Sequence, residues 1–222
     1  MTQEKKVLIF FAVLAVIGFG WYQYNYISAE WRFKITVSVE TPEGLRTGSS
    51  VYEMSNSDVR HRIFGLTEGG NSAEIKGEAV VVDLDKRGIL FALIPDQMMF
   101  YNVFPPPNGG ATRYEGIDYY KHLKNRKVTL NPSEYPAMVM FKDIKDPKTV
   151  EAVRADALAA TFGEGVKLKD ITIEMTDEPV TWEIEKVLGW LEKVKMSYLS
   201  GKHINGSKLY EQLHGGNFQV GE

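Results

Sequence analysis

The sequence contains no cysteine. Disulfides and thiolate metal sites are therefore excluded, and redox chemistry at sulfur is confined to methionine. The compartment stays open, because a cysteine-free chain suits the cytosol and the periplasm alike. Histidine is scarce too: His61, His122, His203 and His214 form no HxH or HExxH spacing, and no acidic residue stands at ligand distance along the chain. No zinc or iron site and no cofactor are expected. There is no G-x-S-x-G nucleophile elbow, and no Lys-Ser/Thr pair follows Gly48 to make a phosphate loop. An excess of one charge is also missing. With 26 Lys+Arg against 29 Asp+Glu the net charge is -3, which gives no electrostatic reason to expect nucleic acid as a partner. These absences lean away from an enzyme without settling the question.

What is present begins with an apolar run. Val7 to Tyr26 reads VLIFFAVLAVIGFGWYQYNY, with no charged or strongly polar residue from Val7 to Gly20 and with Lys5 and Lys6 directly before it. Val7 to Ile27 spans roughly 31 Å as a helix at about 1.5 Å per residue, enough to cross a bilayer core. Trp21, Tyr22, Tyr24 and Tyr26 fit an aromatic belt, and they stand where a secretory signal would carry small residues. The segment 7–27 therefore reads as an uncleaved anchor in a bacterial inner membrane, with a cytoplasmic stub at 1–6 and the bulk of the chain periplasmic. Cleavage near Ala29 with release into the periplasm is the alternative, and a buried core helix is a third reading.

The remainder, 30–220, is hydrophobic enough for one core of ordinary size and reads as a single domain. Arg32 to Glu40 alternates, placing Phe33, Ile35, Val37 and Val39 on one face of a strand. Thr41-Pro42-Glu43-Gly44 supplies a turn, and a return strand is expected over Ser50 to Met54. Asn56 to Asn71 reads as an exposed connection. Ala79 to Leu84 and Ile89 to Ile94 form a predicted hairpin around Asp85 to Gly88, buried enough to stand at the sheet centre. A strand at Ala137 to Phe141 precedes a helix over about Lys148 to Thr161, capped by Asp146 and Pro147 and ended by Gly163. The next strand is Ile171 to Met175, which would complete a right-handed crossover if the two strands are parallel neighbours. Pro179 opens another predicted helix, with Ile184, Val187, Leu188, Leu191 and Val194 on one face. A strand or turn at Gly201 to Asn205 and a brief helix at Lys208 to Leu213 follow. The fold class is thus α+β: a single N-terminal transmembrane helix, then one mixed or antiparallel sheet domain with two or three packing helices.

The run Val39-Glu40-Thr41-Pro42-Glu43-Gly44-Leu45-Arg46-Thr47-Gly48-Ser49-Ser50-Val51, Tyr135-Pro136 before a strand, and Ile171-Thr172-Ile173-Glu174-Met175-Thr176-Asp177-Glu178-Pro179-Val180-Thr181 carry a resemblance. In these residues the chain resembles a family of small proteobacterial membrane-anchored proteins without an assigned activity, over about Arg32 to Phe218. The resemblance implies a bacterial, membrane-associated protein and brings no catalytic residue with it.

Two stretches are candidate sites. Arg46, Thr47, Gly48, Ser49 and Ser50 form a small, hydroxyl-rich segment with one cation, able in principle to cradle a phosphate or carboxylate through backbone N–H groups. A hairpin whose glycine permits a bulge explains the same residues. The second stretch lies in a loop-rich excursion, 95–127, where Phe104 precedes a proline run and Tyr114, Tyr119, Tyr120, Lys121, Lys124, Arg126 and Lys127 interleave aromatics with bases. That pattern suits nucleic acid, anionic lipid or an acidic protein, and more commonly a solvated helix face with tyrosines packed below it. The acidic group Glu174, Asp177 and Glu178 is most simply placed ahead of a helix N-terminus. The expected function is a membrane-anchored periplasmic binding or scaffolding module with an envelope protein as partner. The alternative is a membrane-tethered hydrolase or small anionic-ligand binder using Arg46 to Ser50.

Overall fold

The computed structural model describes residues 2–60, 72–108, 110–194, 197–201 and 207–221. Helix α1 covers Gln3–Asn25 and is followed at once by β1, Tyr26–Thr41. Then come β2 (Gly44–Val59), β3 (Ser72–Glu78), β4 (Val80–Asp83) and β5 (Ile89–Ala92). Two helices follow, α2 (Gln97–Val103) and α3 (Tyr114–His122), then β6 (Lys127–Thr129), β7 (Met138–Phe141) and β8 (Val150–Val153). The chain closes with α4 (Leu158–Phe162), β9 (Lys167–Thr176), α5 (Leu191–Val194), α6 (Leu209–Gln212) and β10 (Gln219–Val220). The fold is α+β, an N-terminal apolar helix followed by antiparallel sheets and a few short helices, and α1 is long and apolar enough to cross a membrane. The described residues form two sheets where the sequence suggested one: β10-β3-β2-β1-β9-β6 and β4-β5-β7-β8.

The chain forms two compact units. The smaller takes Met1–Glu30, Ser55–Glu74 and Pro105–His122, and the larger takes Trp31–Met54, Ile75–Phe104 and Leu123–Glu222.

In the larger unit the predicted alternation of β1 holds, and Phe33, Ile35, Val37 and Val39 are all fully buried. The turn to β2 is closed by Thr41, whose Oγ1 accepts from the Glu43 N–H (3.2 Å) and donates to the Gly44 carbonyl (2.8 Å). Strand β2 starts at Gly44 rather than Ser50 and runs through residues 56–59, where the sequence predicts an exposed connection; residues 61–71 of that connection lie outside the described residues. Helix α2 lays Phe100 over β1, its ring centroid 4.9 Å from Phe33 and 6.0 Å from Trp31, and Phe33 stacks on Tyr52 of β2 at 5.3 Å. Burial pushes the Tyr52 hydroxyl pKa above its ordinary value. Gly77 in β3 makes room for that tyrosine: its φ is +145°, and a Cβ there would sit 2.6 Å from the Tyr52 ring.

The opposite face of the six-stranded sheet is charged. Lys34, Glu174 and Lys127 stand directly across β1, β9 and β6, with Nζ–Oε distances of 3.3 and 3.0 Å, and Lys34 also pairs with Glu178. Glu53 of β2 accepts from Arg32 Nε (2.9 Å) and Lys76 Nζ (3.3 Å). Burial disfavours its carboxylate, but the two cations outweigh that and hold its pKa below the ordinary value. The folded pKa lies under the unfolded one, so the stabilisation is present above about 4.5 and is lost as pH falls through the folded value. A Glu53→Gln variant is expected to lose about 1–2 kcal/mol at pH 7, the scale of hydrogen bonds to charged groups lowered by the partial exposure of Arg32 and Lys76. Urea titrations in detergent should show the gap to wild type closing below pH 4.5.

The second sheet corrects several expectations. The strand–helix–strand crossover is absent: Asp146 does cap a turn, its side chain accepting from the Lys148 N–H (3.0 Å), but the helix stops after Thr149. Val150 and Val153 join β8, paired antiparallel with Phe141 and Met138 of β7, and the predicted helix shrinks to α4. Partner strands and β-branching together override a sound N-cap. The predicted hairpin around Asp85 is present, with Asp85 itself at φ 59°, but β4 is an edge strand and only β5 is central. The helix expected from Pro179 is broken into a 3-10 turn at Ile184–Lys186 and the short α5. Its start is fixed by Glu78, which is buried and accepts from the Glu183 (2.7 Å) and Ile184 (2.9 Å) N–H groups. The inward residues were correctly chosen, since Ile184, Leu188 and Leu191 are fully buried with Phe91, Phe141 and Phe218 in one core. Beyond Gly201, the segment expected to form a strand or turn falls outside the described residues.

Candidate functional site

The first candidate stretch lies inside β2, not in a loop, and the pleat divides it. Arg46, Gly48 and Ser50 face one way, with Ser50 buried, while Thr47 and Ser49 face the other and are exposed. Gly48 backs onto the Val81 carbonyl of β4. Arg46 Nη2 lies 3.7 Å from Asp85 Oδ2. Beside it, Glu43 receives two bonds from Arg87, at 3.0 Å each, and Arg87 also donates to the Phe162 carbonyl (3.1 Å). The Arg87 guanidinium holds the Glu43 carboxyl down at about 2. The charges here tie two hairpin turns to each other, and the five candidate residues do not converge on one ligand position.

The second candidate stretch is more ordered than its composition suggests, because the excursion contains α2, α3 and the start of β6. Phe104 is buried against Phe100, ring centroids 5.2 Å apart. Lys124 pairs with Asp177 at 2.9 Å and Lys127 with Glu174, so neither is a free cation, and the exposed Arg126 gives its carbonyl to the Met175 N–H (2.8 Å). Those four residues belong to the larger unit; Tyr114, Tyr119, Tyr120 and Lys121 belong to the smaller. Tyr120 is fully buried, leaving Tyr114, Tyr119 and Lys121 as the accessible members.

In the smaller unit the end of α1 and helix α3 enclose a cleft of about 410 Å³. Tyr22 and Tyr26, one turn apart, stack at 5.3 Å and form one wall; Ser28 of β1 adds a hydroxyl; Tyr114, Asp118 and Lys121 form the α3 wall. The position of α3 follows from the last residues of β2. Buried Asp58 accepts the Tyr114 N–H at 3.0 Å, and the Arg60 guanidinium lies between the rings of Tyr24 (4.9 Å) and Tyr114 (4.2 Å). The Arg60 N–H donates to the Asn25 carbonyl (2.7 Å), which secures the last residue of α1. Gly116 lets α3 approach the preceding loop, for a Cβ there would stand 2.5 Å from the Gly110 carbonyl oxygen. At the far end of α3, His122 Nδ1 lies 2.8 Å from the Asp118 carbonyl oxygen and 3.8 Å from its carboxylate.

This cleft holds hydroxyl donors, one carboxylate and one ammonium, groups able to donate to and accept from a polar ligand. Sequence reasoning singled out Tyr114 and Lys121 but missed Asp58, Arg60 and Asp118. The available signal was the alternation in Ser55-Asn56-Ser57-Asp58-Val59, which continues β2, but its inward positions are polar and so gave no apolar pattern. A second hollow of about 380 Å³, lined in part by Asp96, Met99, Glu134 and Tyr135, lies in the larger unit. Its carboxylates are engaged as caps, Asp96 on the Met98 N–H (2.7 Å) and Glu134 on the Asn131 N–H (3.1 Å). Among the described residues no group of three His, Asp or Glu side chains is arranged to hold a metal ion. Compared with protein-family models, curated proteins and solved structures, the chain matches none.

Proposed function

We propose that this chain is a single-span membrane protein whose folded part is a binding module rather than an enzyme. More particularly, it sits at the outer face of a bacterial inner membrane and binds or scaffolds another envelope protein. The observation that carries this reading is α1. It is 23 residues long, its side chains are exposed on every side from Gln3 to Tyr24, and it passes into β1 at Tyr26 with no linker. A helix of that composition is about 34 Å long and has no core of its own to enter, so a bilayer is the solvent that fits it. Lys5 and Lys6 in its first turn and the tyrosines at its other end fit a cytoplasmic start and an outer aromatic belt. The likeness of residues 39–51 and 171–181 to a proteobacterial membrane-anchored family points the same way.

Absence of native cysteine makes the topology test direct. Single cysteines at exposed Thr2 and Met98 should behave oppositely toward a membrane-impermeant maleimide in cells with a permeabilised outer membrane. Met98→Cys is expected to label in intact cells and Thr2→Cys only after lysis; the reverse pattern would refute the placement. A mature mass lacking the first 29 residues would replace the anchor by a cleaved signal.

A further inference from the structure

The cleft at the end of α1 has a chemistry that the scaffold reading does not use. We infer that it binds the headgroup of a membrane aminophospholipid, a phosphate and a primary ammonium joined by two carbons. The inference rests on the reading of α1 as a membrane span.

Position comes first. Tyr22 and Tyr26 lie 15 and 19 residues beyond Val7, roughly 22 and 28 Å along the helix axis, so the pair climbs to the edge of a hydrocarbon core about 30 Å thick, where headgroups begin. Their rings form the wall of the cleft nearest the apolar helix. A lipid in the surrounding leaflet therefore presents its headgroup at the level of the opening, with its acyl chains against the exposed apolar side of α1.

Charge and spacing come second. Asp118 and Lys121 are three residues apart on α3, so they share a face with their Cβ atoms about 5–6 Å apart, the span between the two charges of such a headgroup. Lys121 and the hydroxyls of Tyr114 and Ser28 supply donors for phosphate oxygens, and Asp118 is an acceptor for an ammonium N–H. The same arrangement discriminates. An anionic lipid without the amine leaves Asp118 facing a phosphate unpaired, and a choline headgroup has no N–H to give it. The cleft is also pre-formed, since Asp58 and Arg60 fix Tyr114, and less ordering opposes binding than on a mobile loop.

The test uses the full-length protein in nanodiscs of phosphatidylcholine alone, or with phosphatidylethanolamine or phosphatidylglycerol added. Lipid retained on the protein is read by native mass spectrometry, and protection of the 114–122 amides by hydrogen exchange. Phosphatidylethanolamine should be enriched at least fivefold over phosphatidylcholine, with slower exchange in α3. Asp118→Asn and Lys121→Gln, both at exposed positions, should abolish the enrichment while nanodisc incorporation stays at the wild-type level. Equal retention of the three lipids by wild type, or unchanged enrichment in both variants, overturns the inference and leaves the anchor reading standing. Failure of the wild type to enter any nanodisc overturns the anchor reading, and this inference falls with it.

Discussion

Gly48→Ala is expected to lose about 3 kcal/mol, the upper end of the cost of overpacking, and Gly48→Val to yield no folded protein. A Cβ at this position would stand 1.9 Å from the Val81 carbonyl oxygen and 2.7 Å from its carbon. Both atoms are main chain, so no rotamer change relieves the clash. Relief needs β4 to shift, yet β4 is paired residue for residue with β5 from Val80–Ala92 to Asp83–Ile89, and Val82 and Leu84 beside it are buried. Either the second sheet moves with it or β2 bends, and both break close packing. Denaturant unfolding in micelles checks the loss. Thr47→Ala, next door but exposed, should stay within about 0.5 kcal/mol of wild type. Gly189→Ala, where a Cβ meets nothing within 4 Å, separates a steric cause from a general effect of losing glycine.

Phe218→Ala should cost about 3–5 kcal/mol, the range for deleting a buried phenyl ring. Phe218 is fully buried, with ring centroids 5.7 Å from Phe141, 6.2 Å from Trp190 and 6.3 Å from Phe91. The main chain around it is also committed. The Phe218 carbonyl accepts the Ala79 N–H (2.8 Å), the Asn217 carbonyl accepts the Ile94 N–H (3.1 Å), and Gln219 and Val220 pair with Glu78 and Gly77. A chain ending at Gly215 should therefore be less stable than the point variant, since it loses ring and ladder together. Comparing the two in thermal melts checks that order. Phe218→Leu, which keeps most of the volume, should recover more than half of the loss.

The parts of this fold that were legible from sequence are those where one local rule acts alone. The alternation in β1, the Thr41 to Gly44 turn, the Asp85 hairpin and the apolar length of α1 each follow from side-chain period or turn chemistry within a few residues. What was missed depends on partners far along the chain. Val150 and Val153 satisfy a helical spacing as well as a strand whose two ends are buried on opposite faces, and the choice is made by Met138 and Phe141 across the ladder. Pro179 is an acceptable helix start, but Glu78, a hundred residues earlier, places the first turn at Ile184 instead. The same holds for the cleft. Tyr114 and Lys121 were visible as an aromatic–basic pattern, whereas Asp58 and Arg60 acquire meaning only when β2 carries them to α3. The Arg46 to Ser50 stretch illustrates the converse, for residues grouped by chemistry in sequence are separated by the two-residue pleat of a strand.

The strand order also bears on how this protein is made. Synthesis delivers β1, β2 and β3 early, while β9, which covers the outer side of β1, begins at Lys167, and β10, which covers β3, ends at Val220. At about 5–20 residues per second the nascent sheet keeps open edges for several seconds before those strands emerge. An open edge backed by Phe33, Ile35 and Val37 is a template for pairing with another chain. Protection of the growing chain across that interval is thus a kinetic demand that its final stability does not reveal.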